Sequence, residues 1–146
     1  MSSSSSAEEH GGWKLHTGCK CPFSKKKLTQ LWLIETPVTH GIVTLALNIL
    51  SPLAPHPVFH MAIQCIYRCS QCGDVDYYTF EFSKEGKEAR CGEYKNGKCL
   101  RSCDRGMTLE ELYQIYLSTW PNAKGSDYDT VNHNCQHFAR EMWAEI

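Results

Sequence analysis

The chain has 146 residues, 42% of them hydrophobic, and its 15 basic and 16 acidic side chains give a formal net charge of -1. That length supports one domain with a core of its own. The near-neutral balance leaves no electrostatic footprint for nucleic acid or an anionic membrane surface. The longest apolar run, 41–50, falls well short of the ~20 residues a bilayer-spanning helix needs and is interrupted by Thr44 and Asn48, so no transmembrane segment is expected.

Residues 1–27 read as a disordered or loop-rich N-terminal tail. A run of five serines from Ser2 leads into Glu8-Glu9-His10-Gly11-Gly12, without the apolar core a secretory signal requires. Cys19-Lys20-Cys21-Pro22 and Lys25-Lys26-Lys27 follow, polar and rich in turn residues, so that 13–27 reads as loop or a short hairpin. In a chain of neutral total charge the triple lysine reads as a solvated face. With no signal in view, the nine cysteines point to an intracellular, cytoplasmic location, where clustered cysteines mean metal or catalysis more often than a disulfide scaffold.

The remainder, 28–146, reads as a single α+β domain. Residues 28–34 are apolar and fit a strand or a helix ended by Pro37. Residues 41–50 are rich in β-branched and aliphatic side chains and predict a buried strand, with Pro55-His56-Pro57 as a rigid connector. Over 58–67 the alternation predicts a strand with Phe59, Met61, Ile63, Cys65 and Tyr67 on one face and Val58, His60, Ala62 and Gln64 on the other. A turn at 69–74 returns the chain into a strand over 76–82, and Asn96-Gly97 signals a hairpin between two further short strands.

After Gly106 the period changes from two to 3.6. Thr108 with Glu111 forms a capping box, and Leu109, Leu112, Tyr113, Tyr116 and Trp120 make one stripe before Pro121. A last helix starts at Asn134, a good N-cap, and its stripe is Cys135, Phe138, Ala139, Met142, Trp143 and Ile146. Strands first and helices last predict an antiparallel sheet packed against C-terminal helices.

The N-cap puts Cys135 in the first helical turn, where the dipole and unpaired N–H groups favour a thiolate. A nucleophilic cysteine needs a histidine within reach. His10, His16 and His56 fall in tail or loop, His133 and His137 lie too close to Cys135 in sequence, and His40, just before a strand, is a spare. His60 interrupts a strand beside small Ala62, which leaves room for a helix terminus to approach. The bland readings stand beside these: a helix-stripe cysteine also packs as an inert core thiol, and a strand histidine also serves as a satisfied structural residue.

The block Thr108-Leu109-Glu110-Glu111-Leu112, Tyr128 and Asn134-Cys135-Gln136-His137-Phe138 resembles the C-terminal half of the PPPDE thiol peptidases. It is also similar to the Asn-Cys-Glu-His-Phe box of lecithin retinol acyltransferase-like proteins. Both belong to the circularly permuted papain-like, NlpC-related superfamily, in which a histidine-bearing strand precedes the cysteine helix. Residues 43–50 followed by Phe59-His60-Met61-Ala62-Ile63 resemble that first half. The likeness runs over 41–146, and its specific part is the cysteine box.

The resemblance implies a circularly permuted papain-like fold, Cys135 as nucleophile and His60 as base. Asn134 would support the helix start, and the Cys135 backbone N–H would be an oxyanion donor. The reaction would pass through a covalent acyl-thioenzyme and require no cofactor. Its partner would be a protein substrate such as a ubiquitin-like conjugate, or an acylated protein or lipid. The acyltransferase branch expects a second histidine about a dozen residues after the first. None occurs between 61 and 132, which favours the two-residue arrangement or another orienting group, Gln64 or Glu81.

Cys69-x2-Cys72-Gly73 followed by Cys99-x3-Cys103 approximates the spacing of a four-thiolate structural zinc site. Cys19, Cys21, Cys65 and Cys91 are further possible ligands, and reduced surface cysteines or disulfides are the alternatives. Two functions are therefore open: a cysteine-dependent hydrolase, or a non-catalytic zinc-containing interaction module in which Cys135 and His60 are core residues. A catalytically silent member of the same fold is a variant of the second.

Overall fold

Strands whose side chains alternate between two apolar faces, followed by two helices apolar on one face each, fix the layering of this protein. The computed structural model describes residues 12–37, 59–129 and 134–146. The elements are β1 (Trp13–Leu15), β2 (Lys26–Pro37), β3 (Phe59–Cys69), β4 (Val75–Ser83), β5 (Gly86–Tyr94), β6 (Lys98–Ser102), α1 (Leu109–Ser118) and α2 (Cys135–Ala144), with single 3-10 turns at Phe23–Lys25 and Gly125–Asp127. The architecture is α+β: among the described residues, an antiparallel sheet of six strands in the order β1-β5-β4-β3-β2-β6 precedes two C-terminal helices. No described helix is long and apolar enough to cross a membrane. The expected strand at 41–50, the connector Pro55-His56-Pro57, the spare candidate His40 and residues 1–11 lie outside the described residues.

Each face of the sheet carries its own core. On one, Leu31, Leu33, Met61, Ile63, Phe80 and Phe82 pack against the helices. Fully burying a side chain of this kind stabilises by about 1.5–3 kcal/mol, so Leu109, Leu112, Phe138 and Met142, each fully enclosed, fasten the helices firmly. On the other face, Trp13, Ile34, Ala62 and Tyr94 form a smaller cluster. The alternation expected for β3 is the physical basis of this division, since Met61 and Ile63 serve the first core and Ala62 the second.

Two expectations change. The segment 12–27 is loop-rich, but it is not detached from the domain: Trp13 is buried, β1 pairs with β5, and Phe23 and Cys19 pack against the larger core. The domain therefore begins well before residue 28. A tryptophan standing alone in a polar stretch gave no periodicity from which to read this.

Asn96-Gly97 does turn the chain, but β5 and β6 do not pair. The free edge of β5 is taken by β1, through Trp13 opposite Tyr94, and β6 pairs instead with β2, through Ile34 opposite Cys99. In a flat sheet those positions would be about 19 Å apart, whereas the three residues between β5 and β6 reach about 14 Å. The sheet is therefore curled, and Gly97 lies against Ile34.

β1 depends on a glycine. Gly92 has φ of 151°, and a Cβ there would stand 2.5 Å from the Trp13 ring and 2.6 Å from the Lys14 carbonyl oxygen. The Trp13 ring is otherwise held at 5.0 Å from Tyr94 and 4.0 Å from the Arg90 guanidinium. Gly92→Val combines strain at positive φ with overpacking, and it should destabilise the protein by about 2–4 kcal/mol. Urea unfolding followed by tryptophan fluorescence checks this; an unchanged midpoint would show that β1 is not anchored there.

Candidate active site

The start of α2 is built as its sequence dictates. The Asn134 side-chain oxygen accepts the backbone N–H groups of Gln136 at 3.0 Å and His137 at 3.2 Å. His137 Nδ1 accepts the Asn134 backbone N–H at 3.2 Å, closing a capping box. His137 is thus committed to the cap. Phe138, Ala139 and Met142 seat the helix in the larger core, while Gln136 Nε2 donates to the Phe59 carbonyl at 3.2 Å and ties the helix start to the first residue of β3. The Cys135 sulfur lies 4.0 Å from that same carbonyl oxygen.

His60, the next residue of β3, is 3% exposed. Its Nε2 lies 2.6 Å from Glu81 Oε1, and its ring shares a hydrogen bond with the Cys135 thiol. With Nε2 held by the carboxylate, Nδ1 is the nitrogen left for the sulfur. By alternation His60 and Glu81 belong to the face opposite the helices, so the meeting with Cys135 needs a gap in the sheet. The β3–β4 ladder supplies one: it ends at Ile63 opposite Phe80, although both strands continue past that point.

Glu81 is enclosed at 2% exposure. One of its oxygens accepts from Arg90, and the other accepts from Tyr94 as well as meeting His60. Gln64, the other orienting group the sequence offered, is occupied elsewhere, accepting from the Tyr94 backbone N–H at 2.8 Å and from Thr79 at 3.2 Å. Between the two, Glu81 is the residue on His60. Only the strand register distinguishes them.

The charges reinforce one another. Burial alone would push the Glu81 carboxyl up, but His60, Arg90 and Tyr94 hold it down at about 2. Burial alone would lower His60, yet the sulfur of Cys135 and the carboxylate of Glu81 raise it well above its ordinary value. Burial likewise raises the Cys135 thiol, and the His60 charge and hydrogen bond, the Met61 amide and the Tyr128 hydroxyl together pull it below its ordinary value. Both shifts favour a thiolate facing an imidazolium.

Tyr128 is the member that reading the residues did not assign. Its hydroxyl hydrogen-bonds both the Cys135 sulfur and the Cys135 backbone N–H, and burial followed by the neighbouring sulfur raises its pKa. The sequence offered Tyr128 only as part of a motif, with no role attached.

The expected metal ligands divide differently. The sulfurs of Cys69 and Cys72 gather with those of Cys19 and Cys21, all within 4.8 Å of one another, and these four could hold a metal ion. Cys99 and Cys103 are not in that group. Cys99 is exposed on β6 opposite Ile34, whereas Cys69 stands opposite Lys26. Eight positions along β2 separate the two by roughly 25 Å. The sequence could not place them, because the crossing of β6 to the far edge of the sheet decides it.

No family model, curated protein or solved structure matches this chain.

Because His60 lowers the thiol's pKa, the Cys135 thiolate should persist as the pH falls. Its alkylation by iodoacetamide, read peptide by peptide by mass spectrometry, should fall off at a lower pH than that of an ordinary thiol, which with a pKa of about 8.5 loses nearly tenfold per pH unit below it. Glu81→Gln removes a charge that favours the imidazolium and should raise the midpoint by about one pH unit or more. A wild-type midpoint near 8.5 would dismiss the ion pair.

Proposed function

We propose that this chain is a cysteine-dependent hydrolase of the circularly permuted papain-like kind, similar to the PPPDE thiol peptidases and the lecithin retinol acyltransferase-like proteins. The observation that carries the reading is the contact between a thiol at a helix N-terminus and a buried histidine that a carboxylate holds from behind. The order along the chain, histidine strand before cysteine helix, supports the permuted assignment. In place of a second histidine, Glu81 orients the base.

In the proposed reaction the Cys135 thiolate attacks the carbonyl carbon of a peptide, isopeptide, ester or thioester. The oxyanion that forms takes the Cys135 backbone N–H, with the Tyr128 hydroxyl as a second donor. The His60 imidazolium gives its proton to the departing amine, alcohol or thiol, leaving an acyl-thioenzyme. Neutral His60 then takes a proton from water, or from an acceptor nucleophile, as it attacks the acyl carbon, and the C–S bond breaks to release the thiolate beside the imidazolium. Glu81 keeps the ring in one tautomer and orientation throughout, the role of the third member in nucleophile–base–carboxylate sites. The proposed substrates are ubiquitin-like conjugates or acylated proteins and lipids.

One observation favours the catalytically silent reading instead. Cys135 is 5% exposed, and Tyr128 covers both the sulfur and the N–H that an oxyanion needs. Substrate would have to displace that hydroxyl from the sulfur.

A panel of electrophilic ubiquitin-like and acyl-thioester probes separates the two. The hydrolase should acylate on Cys135, and Cys135→Ser or His60→Ala should each lower turnover of the reactive probe by about 10³-fold or more, as for other residues acting as a unit. Glu81→Gln should lower it by less while leaving KM near its wild-type value. Wild-type protein that reacts with no probe, or reacts equally well as His60→Ala, would remove the enzyme reading and leave the silent member of the fold.

A further inference from the structure

We propose that Cys19, Cys21, Cys69 and Cys72 form a structural zinc site that fastens the N-terminal segment to the β3–β4 turn. Two sulfurs come from a Cys-x-Cys sequence in the stretch between β1 and β2, and two from a Cys-x2-Cys-Gly turn some fifty positions later. All four lie within 4.8 Å of one another. A tetrahedral ion with Zn–S bonds of about 2.3 Å needs sulfurs about 3.8 Å apart, so small side-chain rotations suffice to close the site. Four neutral thiols, which are weak donors and weak acceptors, would give little reason for the chain to bring them together.

The turn is shaped to receive charge on sulfur. The backbone N–H groups of Gln71 and Cys72 point at the Cys69 sulfur, and that of Asp74 points at Cys72. Such hydrogen bonds are strong only when the acceptor is a thiolate. Gly73, at φ of 81°, makes the turn possible, with its N–H on the Cys69 carbonyl at 2.8 Å and the Cys69 N–H on the Asp74 carbonyl at 2.7 Å.

A second observation is independent of the cysteines. Lys26 stands opposite Cys69 in the β2–β3 register and is 4% exposed. Its ammonium donates to the Cys19 carbonyl at 2.9 Å and lies 5.1 Å and 5.0 Å from the ring centres of Phe23 and Tyr67. Among the described residues no carboxylate lies within ion-pair distance of it. A buried cation calls for a compensating anion, and a zinc ion with four thiolates carries a net double negative charge. Soft, all-thiolate tetrahedral coordination selects zinc over magnesium or calcium.

With four protein ligands the site is closed, so its role is structural. It also lies far from the proposed chemistry: His60 and Cys69 are nine residues apart on one strand, about 30 Å. What the zinc does is hold the segment carrying Cys19 and Cys21 against the sheet.

The test is metal analysis of the full-length protein purified without chelator from zinc-supplemented culture, together with cobalt substitution of the same protein. One zinc per chain is expected, with the cobalt form showing thiolate charge-transfer bands and the visible bands of tetrahedral coordination. The double variant Cys99→Ser/Cys103→Ser should keep the metal, and Cys21→Ser/Cys72→Ser should lose it. Lys26→Met should weaken zinc affinity by about tenfold or more, as loss of an outer partner does. Wild-type protein with neither zinc nor a tetrahedral cobalt spectrum overturns the proposal, whatever the variants do. So does a disulfide among these four cysteines in the native mass, or metal retained by Cys21→Ser/Cys72→Ser.

Discussion

The buried carboxylate of Glu81 is the constraint on which the arrangement of this protein depends. A charge enclosed on β4 is tolerable only if both its oxygens find donors, and Arg90, Tyr94 and His60 supply three between them from β5 and β3. Deleting one partner of such a buried set typically costs about 3–5 kcal/mol, because the other charge is left unpaired. The set therefore locks three neighbouring strands in one register. The His60 ring, held through Nε2, has only one nitrogen to present to Cys135.

Curvature makes that presentation possible. β3 divides its side chains between a large core under the helices and a small one inside the curl, where Trp13 and Tyr94 lie. A histidine on the inner face and a cysteine on an outer helix would be kept apart by an intact sheet. They meet because β3 and β4 stop pairing at Ile63 and Phe80, and because Gln136 fastens the start of α2 to Phe59 at the open end. In the proposed enzyme this contact becomes an ion pair against the cost of burial, since each charge is stabilised chiefly by the other.

β3 thereby has different work at its two ends. At Phe59 and His60 it faces the proposed nucleophile; at Cys69 it enters a turn whose amides surround sulfur. Lys26 on β2 and Cys19 before it converge on the second end. The segment carrying Trp13 and the paired cysteines belongs to the domain for two unrelated reasons, apolar burial at β1 and the gathering of thiols beyond it.

The local features were legible in the sequence. Asn134 announced a helix start and Thr108 with Glu111 another; the spacing of Cys135, Phe138, Ala139 and Met142 gave the buried stripe; the alternation around His60 gave its face. Each of these follows from a periodicity or a cap spanning a few residues, and such signals survive in one dimension. The tertiary structure alone decided that Glu81 and not Gln64 reaches His60, that Cys19 and Cys21 replace Cys99 and Cys103 beside Cys69, and that β6 crosses to β2 instead of pairing with β5. Those outcomes depend on strand register and sheet curvature. Both are set by the sum of many contacts between distant segments, which no short stretch of sequence records.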